Sequence, residues 1–195
     1  ITSPVMLFFF VFGDVFIQLS FGAKYLGGLL AFRILLIGVL LYVVALVNNQ
    51  SIASLGYPKV VTKIISLAAV INVVLNVMLI PVWGIQGAAL ATTVSYAIIL
   101  FLGTGWLSKK LNIPYPWFLW IKLFILGSVY LAVVFGLRYL FTGVTPWIVI
   151  PAVLIISLAV YVVLLFVSGI VTWVEVKSQY ALLERVFLGK FKNKK

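Results

Sequence analysis

Apolar residues run in long, nearly unbroken stretches along this chain, separated by short breaks of turn-forming residues. Six stretches meet or approach the roughly 20 apolar residues that a helix needs to cross a hydrocarbon core of about 30 Å. They cover about Pro4–Ser20, Gly28–Leu55, Val60–Ile80, Ile85–Leu107, Trp117–Leu140 and Pro146–Val171. The breaks are Phe21-Gly22-Ala23-Lys24, Gly56-Tyr57-Pro58-Lys59, Pro81-Val82-Trp83-Gly84, Asn112-Ile113-Pro114 and Thr142-Gly143. Glycine, proline and asparagine are the residues that end regular structure. A spanning β-barrel would read instead as alternating segments of about 10 residues. The pattern therefore predicts an all-α integral membrane protein with about six transmembrane helices.

Composition removes the alternative of a soluble fold. The chain is 65% hydrophobic and 9% charged, whereas soluble domains are roughly half apolar and a quarter charged. No cysteine or histidine is present, and Asp14, Glu175 and Glu184 are the only acids. That excludes disulfides, thiolate chemistry and the commonest metal ligands. It also leaves no carboxylate dyad, so neither cofactor nor metal is expected. The chain opens on Ile1, directly in an apolar stretch, with no charged region ahead of it. A cleaved signal peptide is not expected from that start; a fragment of a longer protein is.

The basic residues carry the orientation. Lys24, Arg33 and Arg138 flank the breaks after the first, third and fifth spans, while the other eleven of the fourteen flank the alternate breaks or lie in the tail. The positive-inside rule makes the second set cytoplasmic. Both ends of the chain then face the cytoplasm in the cell membrane, as an even number of spans requires. The net charge of +11 follows from this placement, and membrane lipids rather than nucleic acid are the expected partners. In the tail, residues 173–195, Trp173, Val176, Tyr180, Leu183 and Phe187 recur at helical spacing ahead of Lys190–Lys195. That describes an amphipathic interfacial helix with a basic end.

Ionisable and strongly polar groups at membrane depth are the candidate functional residues. Asp14 and Arg33 both lie some 8–9 Å inside the same boundary at about 1.5 Å per residue, so two antiparallel neighbours could pair them. Such a pair could be packing, Arg33 could snorkel to the headgroups, or Arg33 could face a hydrated cavity and hold an anionic headgroup or pyrophosphate. Asn72 and Asn76 share one face at i,i+4 and need partners, either a neighbouring helix or a sugar or phosphate. Asn48, Asn49 and Gln50 have the same ambiguity. Gly87, Ala91 and Ser95 form a small-residue stripe suited to close helix approach. No phosphate-cradling loop is present, since Gly27-Gly28 and Gly103-Thr104-Gly105 lack the rest of such a motif.

Three strings resemble the polysaccharide and oligosaccharide flippases of the multidrug/oligosaccharidyl-lipid/polysaccharide exporter superfamily. They are Phe21-Gly22-Ala23-Lys24-Tyr25, the turn Ala53-Ser54-Leu55-Gly56-Tyr57-Pro58-Lys59, and the run from Asn72 through Asn76, Pro81, Gly84 and Gly87 to Thr92. Together they extend over roughly residues 1–105. The resemblance implies a two-lobed bundle of 12–14 helices working by alternating access. Residues 1–110 would be four helices of the second lobe, 111–172 an additional helix pair and 173–195 a cytoplasmic tail, with the N-terminal lobe missing. The implied activity is flipping of a lipid-linked oligosaccharide, with Arg33 at best in place of the family's cationic cavity residues. A drug or cell-wall lipid-precursor exporter of the same superfamily, a membrane-embedded glycosyltransferase or polymerase, and a non-catalytic membrane subunit are the alternatives. The enzyme alternative would need catalytic groups on a sizeable extramembrane loop, and the breaks are too short for one.

Overall fold

The computed structural model describes residues 2–140 and 146–169, and the tail predicted as an interfacial helix lies outside them. The described residues form helices and short turns only. Helix α1 runs Thr2–Ser20. A short 3-10 turn, Ala23–Gly28, leads into α2, Leu29–Ser54. Helix α3 covers Pro58–Leu111, α4 Trp117–Leu140 and α5 Pro146–Val167. All five are long and apolar enough to cross a membrane.

The six predicted spans and the five helices agree because α3 folds back on itself. Its 54 residues would reach about 80 Å if straight, far more than a bilayer core. Gly84 breaks it with φ 54 and ψ −132, a conformation open to glycine because it lacks a Cβ. A Cβ placed on Gly87 would meet the backbone of Leu79, 2.6 Å from its carbonyl carbon. Residues 79 and 87 could not touch along a straight helix, so the chain folds back. Ile64 and Ala68 of the first arm join Ile99 and Leu100 of the second in one buried cluster with Ala45 and Ile52 of α2. The predicted break at Pro81–Gly84 is thus a helical hairpin, tight enough for the helical assignment to run through it.

Local chemistry sets the other boundaries. Gly22 and Gly56 take φ of 97 and 87 at the ends of α1 and α2. Pro58 opens α3 at its first turn, where its missing N–H costs nothing. Asn112 ends α3 in the left-handed conformation, with its N–H on the Ser108 carbonyl, and Pro114 and Pro116 prevent continuation. Within the spans, Ser51, Thr92, Ser95, Thr104 and Ser128 each donate their hydroxyl to the carbonyl four residues earlier. These bonds let hydroxyls sit in an apolar environment without a partner helix.

Packing divides the helices into two groups joined by α1. Phe8, Val11 and Phe12 of α1 form one core with Leu126, Tyr130 and Val134 of α4 and Val153 and Tyr161 of α5. Helix α2 and the two arms of α3 form the other. Gly13 of α1 lets Leu29 and Phe32 of α2 approach to 3.1 Å of where its Cβ would be. Helix α1 thus packs both on α2 and on the last two helices.

Candidate functional site

Helix α1 is broken at Phe12, where φ −95 and ψ 15 leave the helical region, and the membrane-level charges converge on that break. Arg138 of α4 grips Asp14 with both arms, Nη2 to Oδ2 at 2.6 Å and Nη1 to Oδ1 at 3.0 Å. Its Nη1 also donates to the Val11 carbonyl, and the guanidinium lies 5.6 Å from the Phe12 ring centroid. From the other flank, Arg33 of α2 donates Nε to the Phe10 carbonyl at 3.0 Å and lies 5.7 Å from the Phe10 ring. Inserted donors at consecutive carbonyls are a recognised cause of a helix kink. Among the described residues the arrangement is two arginines and one carboxylate, a formal charge of +1.

The predicted Asp14–Arg33 pair is therefore corrected. Arg138, some 124 residues away in sequence, takes the carboxylate, and Arg33 reaches one turn further into α1. A planar guanidinium satisfies a carboxylate best through two parallel bonds, and Arg138 faces Asp14 squarely enough to make both. Arg138 lies two positions from the end of its predicted span, so the sequence marks it only as an orientation charge. The available signal was the shared side: Asp14, Arg33 and Arg138 all lie toward the same predicted membrane boundary.

The remaining candidates do not gather around these charges. Asn48 and Arg33 are 15 residues apart on one helix, about 22 Å along its axis, so they occupy opposite depths. Asn48 donates Nδ2 to the Thr104 hydroxyl at 2.7 Å, where Gly103 lets α2 and α3 come together. Asn49 is buried, and its Oδ1 has no hydrogen-bond partner among the described residues. Gln50 is exposed. Asn76 donates Nδ2 to both the carbonyl and the Oδ1 of Asn72, each at 2.9 Å. That pair, expected to require another helix or water, meets part of its need within its own helix.

Four exposed lysines, Lys59, Lys63, Lys109 and Lys110, lie at one end of the α2–α3 group. Their common location follows from Tyr57 packing on Trp106 at 5.0 Å and Lys110 standing 4.6 Å over the Tyr57 ring. In the linker to α4, Tyr115 stacks on Trp117 at 4.7 Å and meets Trp120 at 5.3 Å. Burial there pushes the Tyr115 phenol above its ordinary value. Among the described residues no group of His, Cys, Asp and Glu could hold a metal ion.

Comparison with known proteins places the chain among membrane proteins. It is 28% identical over 178 residues to an uncharacterized membrane protein of Methanocaldococcus jannaschii, covering 91% of this chain and 35% of that protein. It is 29% identical over 114 residues to a protein of Haloferax volcanii named as a probable low-salt glycan biosynthesis flippase, covering 58% of this chain and 24% of the relative. A second uncharacterized membrane protein of M. jannaschii is 33% identical over 76 residues, 39% of this chain and 18% of that protein. The chain thus spans about a third or less of the length of these relatives. No family model matches, and no solved structure matches.

Proposed function

We propose that this chain is part of a membrane transporter that flips a lipid-linked oligosaccharide across the bilayer by alternating access. The observation that carries the reading is the similarity to the H. volcanii glycan biosynthesis flippase over 114 residues, on a chain whose helices are all of membrane-crossing length. Of the flippase-like strings, the Asn72–Thr92 run lies on the α3 hairpin, Ala53–Lys59 at the end of α2 and the start of α3, and Phe21–Tyr25 between α1 and α2. Arg33 and Arg138 supply positive charge for a phosphate or pyrophosphate, and Asp14 orients Arg138. Asn48, Asn49, Gln50, Asn72 and Asn76 are proposed as hydrogen-bonding groups toward sugar, at depths other than that of the arginines. The lysine-bearing end of α2 and α3 faces the cytoplasm in this reading, and the transporter belongs to the multidrug/oligosaccharidyl-lipid/polysaccharide exporter superfamily.

The test is reconstitution of a longer chain carrying this segment into vesicles with a lipid-linked oligosaccharide in the inner leaflet. Flipping is read as new accessibility of the sugar to an added glycosidase. The expected result is flipping by the longer chain and none by the 195 residues alone, because alternating access needs both lobes. Flipping by this chain alone would overturn the two-lobe reading, and a longer chain inactive on every lipid-linked glycan offered would overturn the cargo.

A further inference from the structure

Four exposed lysines come from the two ends of one helix: Lys59 and Lys63 near the start of α3, Lys109 and Lys110 in its last turn. The fold-back at Gly84 returns the second pair to the first. Trp106 packs on Tyr57 with ring centroids 5.0 Å apart, and Lys110 lies 4.6 Å from the same Tyr57 ring. Helix α4 starts at this end too, since Trp120 meets Phe101 at 5.4 Å and packs on the α2–α3 core. The C-termini of α2 and α3 and the N-termini of α3 and α4 therefore meet there, so backbone dipoles cancel and side chains set the charge. Among the described residues no carboxylate answers that charge, because Asp14 is their only acid and is bonded to Arg138. In the sequence beyond, Glu175 and Glu184 are outnumbered by six basic residues over 173–195. The opposite end differs. A Cβ on Gly28 would lie 3.9 Å from the Ile85 side chain, which sets the turn 23–28 beside the hairpin tip. Lys24 is the lysine there among the described residues, in the company of exposed Phe21, Tyr25, Val82 and Trp83.

We infer that the lysine-bearing end of the α2–α3 hairpin is a binding site for anionic phospholipid headgroups, shared by Lys59, Lys63, Lys109 and Lys110. Charge complementarity gives the sign of the occupant, and position gives its class. The turns at this end, 55–57 and 112–116, are short, so the lysines cannot rise clear of the headgroup layer. Tyr57, Trp106, Tyr115, Trp117 and Trp120 share this end, and tryptophan and tyrosine favour that layer. An acidic protein would have to reach between headgroups already in place, whereas a lipid phosphate is there at the depth of the amines. Lys63 lies about 6 Å deeper than Lys59 along the helix, and its stem can lie along lipid while the ammonium reaches the phosphate. Clusters of about four to eight basic residues beside a spanning helix hold anionic lipid in this way. Net charge alone would draw such lipid to every basic residue; a built site sets this end apart from the Lys24 end. None of the four lysines enters the proposed transport chemistry, so the site stands or falls apart from the flippase reading.

The experiment is amine footprinting of the full 195-residue chain in lipid nanodiscs, where both faces are open to reagent. The discs hold phosphatidylcholine alone or phosphatidylcholine with added phosphatidylglycerol. Acetic anhydride modifies accessible lysines, and fragment mass spectrometry reads each one. Phosphatidylglycerol is expected to slow labelling of Lys59, Lys63, Lys109 and Lys110 about fivefold, the factor that one lysine's attraction to an anionic surface amounts to. Lys24 meets the same lipid alone and should change little. Salt at about 1 M, which shortens the screening length to about 3 Å, should abolish the difference. Lys59→Gln with Lys63→Gln should restore labelling at Lys109 and Lys110, because the headgroups are shared. Lys59→Arg with Lys63→Arg should keep them protected, and unchanged protease resistance shows that both variants fold. Slowing at Lys24 equal to that at the four lysines would reduce the effect to diffuse surface charge and overturn the site. Four lysines left unprotected by phosphatidylglycerol would also overturn it, and would leave this end to an acidic partner. Protection of Lys109 and Lys110 that survives the glutamine pair would sink the shared site.

Discussion

Between α2 and the two arms of α3 the close contacts are backbone to backbone, whereas between α1 and α4–α5 they are ring to ring. In the first group a Cβ on Gly38 would lie 3.2 Å from the Thr93 Cα, and one on Gly87 would run into Leu79. In the second, Phe8, Tyr130, Val134 and Val153 fill the core with large side chains. Polar groups divide the same way. Those of the first group mostly bond within their own helix, as Asn76 does to Asn72 and Ser95 to Ala91. Those of the second bond across helices: Tyr130 to the Pro4 carbonyl and to Ser157, Ser3 to Tyr161, Arg138 to Asp14. Lipid supplies little apolar driving force between helices, so association rests on van der Waals fit and hydrogen bonds. The first group relies mainly on fit, with Asn48 to Thr104 and Thr93 to the Ile34 carbonyl as its cross-helix bonds among the described residues, and the second adds more of them.

The sharpest way to break the first group is to give Gly87 a side chain. Overpacking usually costs about 1–3 kcal/mol because neighbours shift. Here the obstacle is the carbonyl of the hairpin's own first arm, which cannot move without opening the turn at Gly84. Gly87→Val should therefore exceed that range and abolish a folded state in detergent, read as loss of protease resistance and of a sharp size-exclusion peak. Gly105→Val on the same helix, where no atom lies within 4 Å of the added Cβ, should leave both unchanged.

In the second group the corresponding break is Arg138→Leu. Removing one partner of a buried ion pair costs about 3–5 kcal/mol, mainly because the other charge is stranded. With both partners about a third accessible, the lower end of that range is expected. Adding Asp14→Leu should recover most of the loss, as measured by denaturant titration of the reconstituted protein. Failure of the double variant to recover would mean that the arginine acts mainly through partners other than Asp14, such as the Val11 carbonyl.

These two variants also mark what was legible in the sequence. The Gly87–Ala91–Ser95 stripe was readable because small residues at four-residue spacing have one common use in a membrane, and all three are buried. The hairpin was readable because Pro81 and Gly84 interrupt an apolar run at bilayer length. The Asp14–Arg138 pair was not, because periodicity speaks only of neighbours within a helix and this pair joins helices about 120 residues apart. Depth alone made Arg33 the nearer choice; what excluded it was the rotational setting of α2, which no single-helix pattern contains. Gly13 was likewise silent until Phe32 was seen packed against it. Asn48 and Asn49 stand out in the sequence as adjacent polar residues in an apolar run. Their division, one bonded to Thr104 and the other left without a partner, depends on the α2–α3 crossing at Gly103.

A milder change tests whether the second group's cross-helix bonds stabilise or only orient. Tyr130→Phe keeps the ring, which packs edge to face on Tyr161 at 5.3 Å, and removes only the hydroxyl. The Pro4 carbonyl and the Ser157 hydroxyl then lose a partner, although Ser157 keeps its bond to the Leu154 carbonyl. A loss of about 1 kcal/mol is expected for the cross-helix hydrogen bond, since the Pro4 carbonyl still belongs to the α1 ladder. The matching deletion in the first group, Ser95→Ala, removes a bond within one helix and no link between helices, and should cost less. Equal losses in the same denaturant titration would erase the distinction drawn between the two groups.

The smallest effect, and the one most informative about function, is expected at Asn49. Its side chain is 7% exposed and its Oδ1 has no partner among the described residues. An unsatisfied buried acceptor costs about 1–3 kcal/mol. Asn49→Leu, close in size, should therefore leave stability unchanged or raise it, whereas Asn48→Leu, which breaks the bond to Thr104, should lower it. Two adjacent asparagines would then have opposite signs on one helix, though both look alike in the sequence. If Asn49→Leu stabilises the chain and yet stops flipping in the longer transporter, the residue is retained for the working cycle and not for packing. A stabilised variant that still flips at the normal rate would remove Asn49 from the proposed sugar-binding groups.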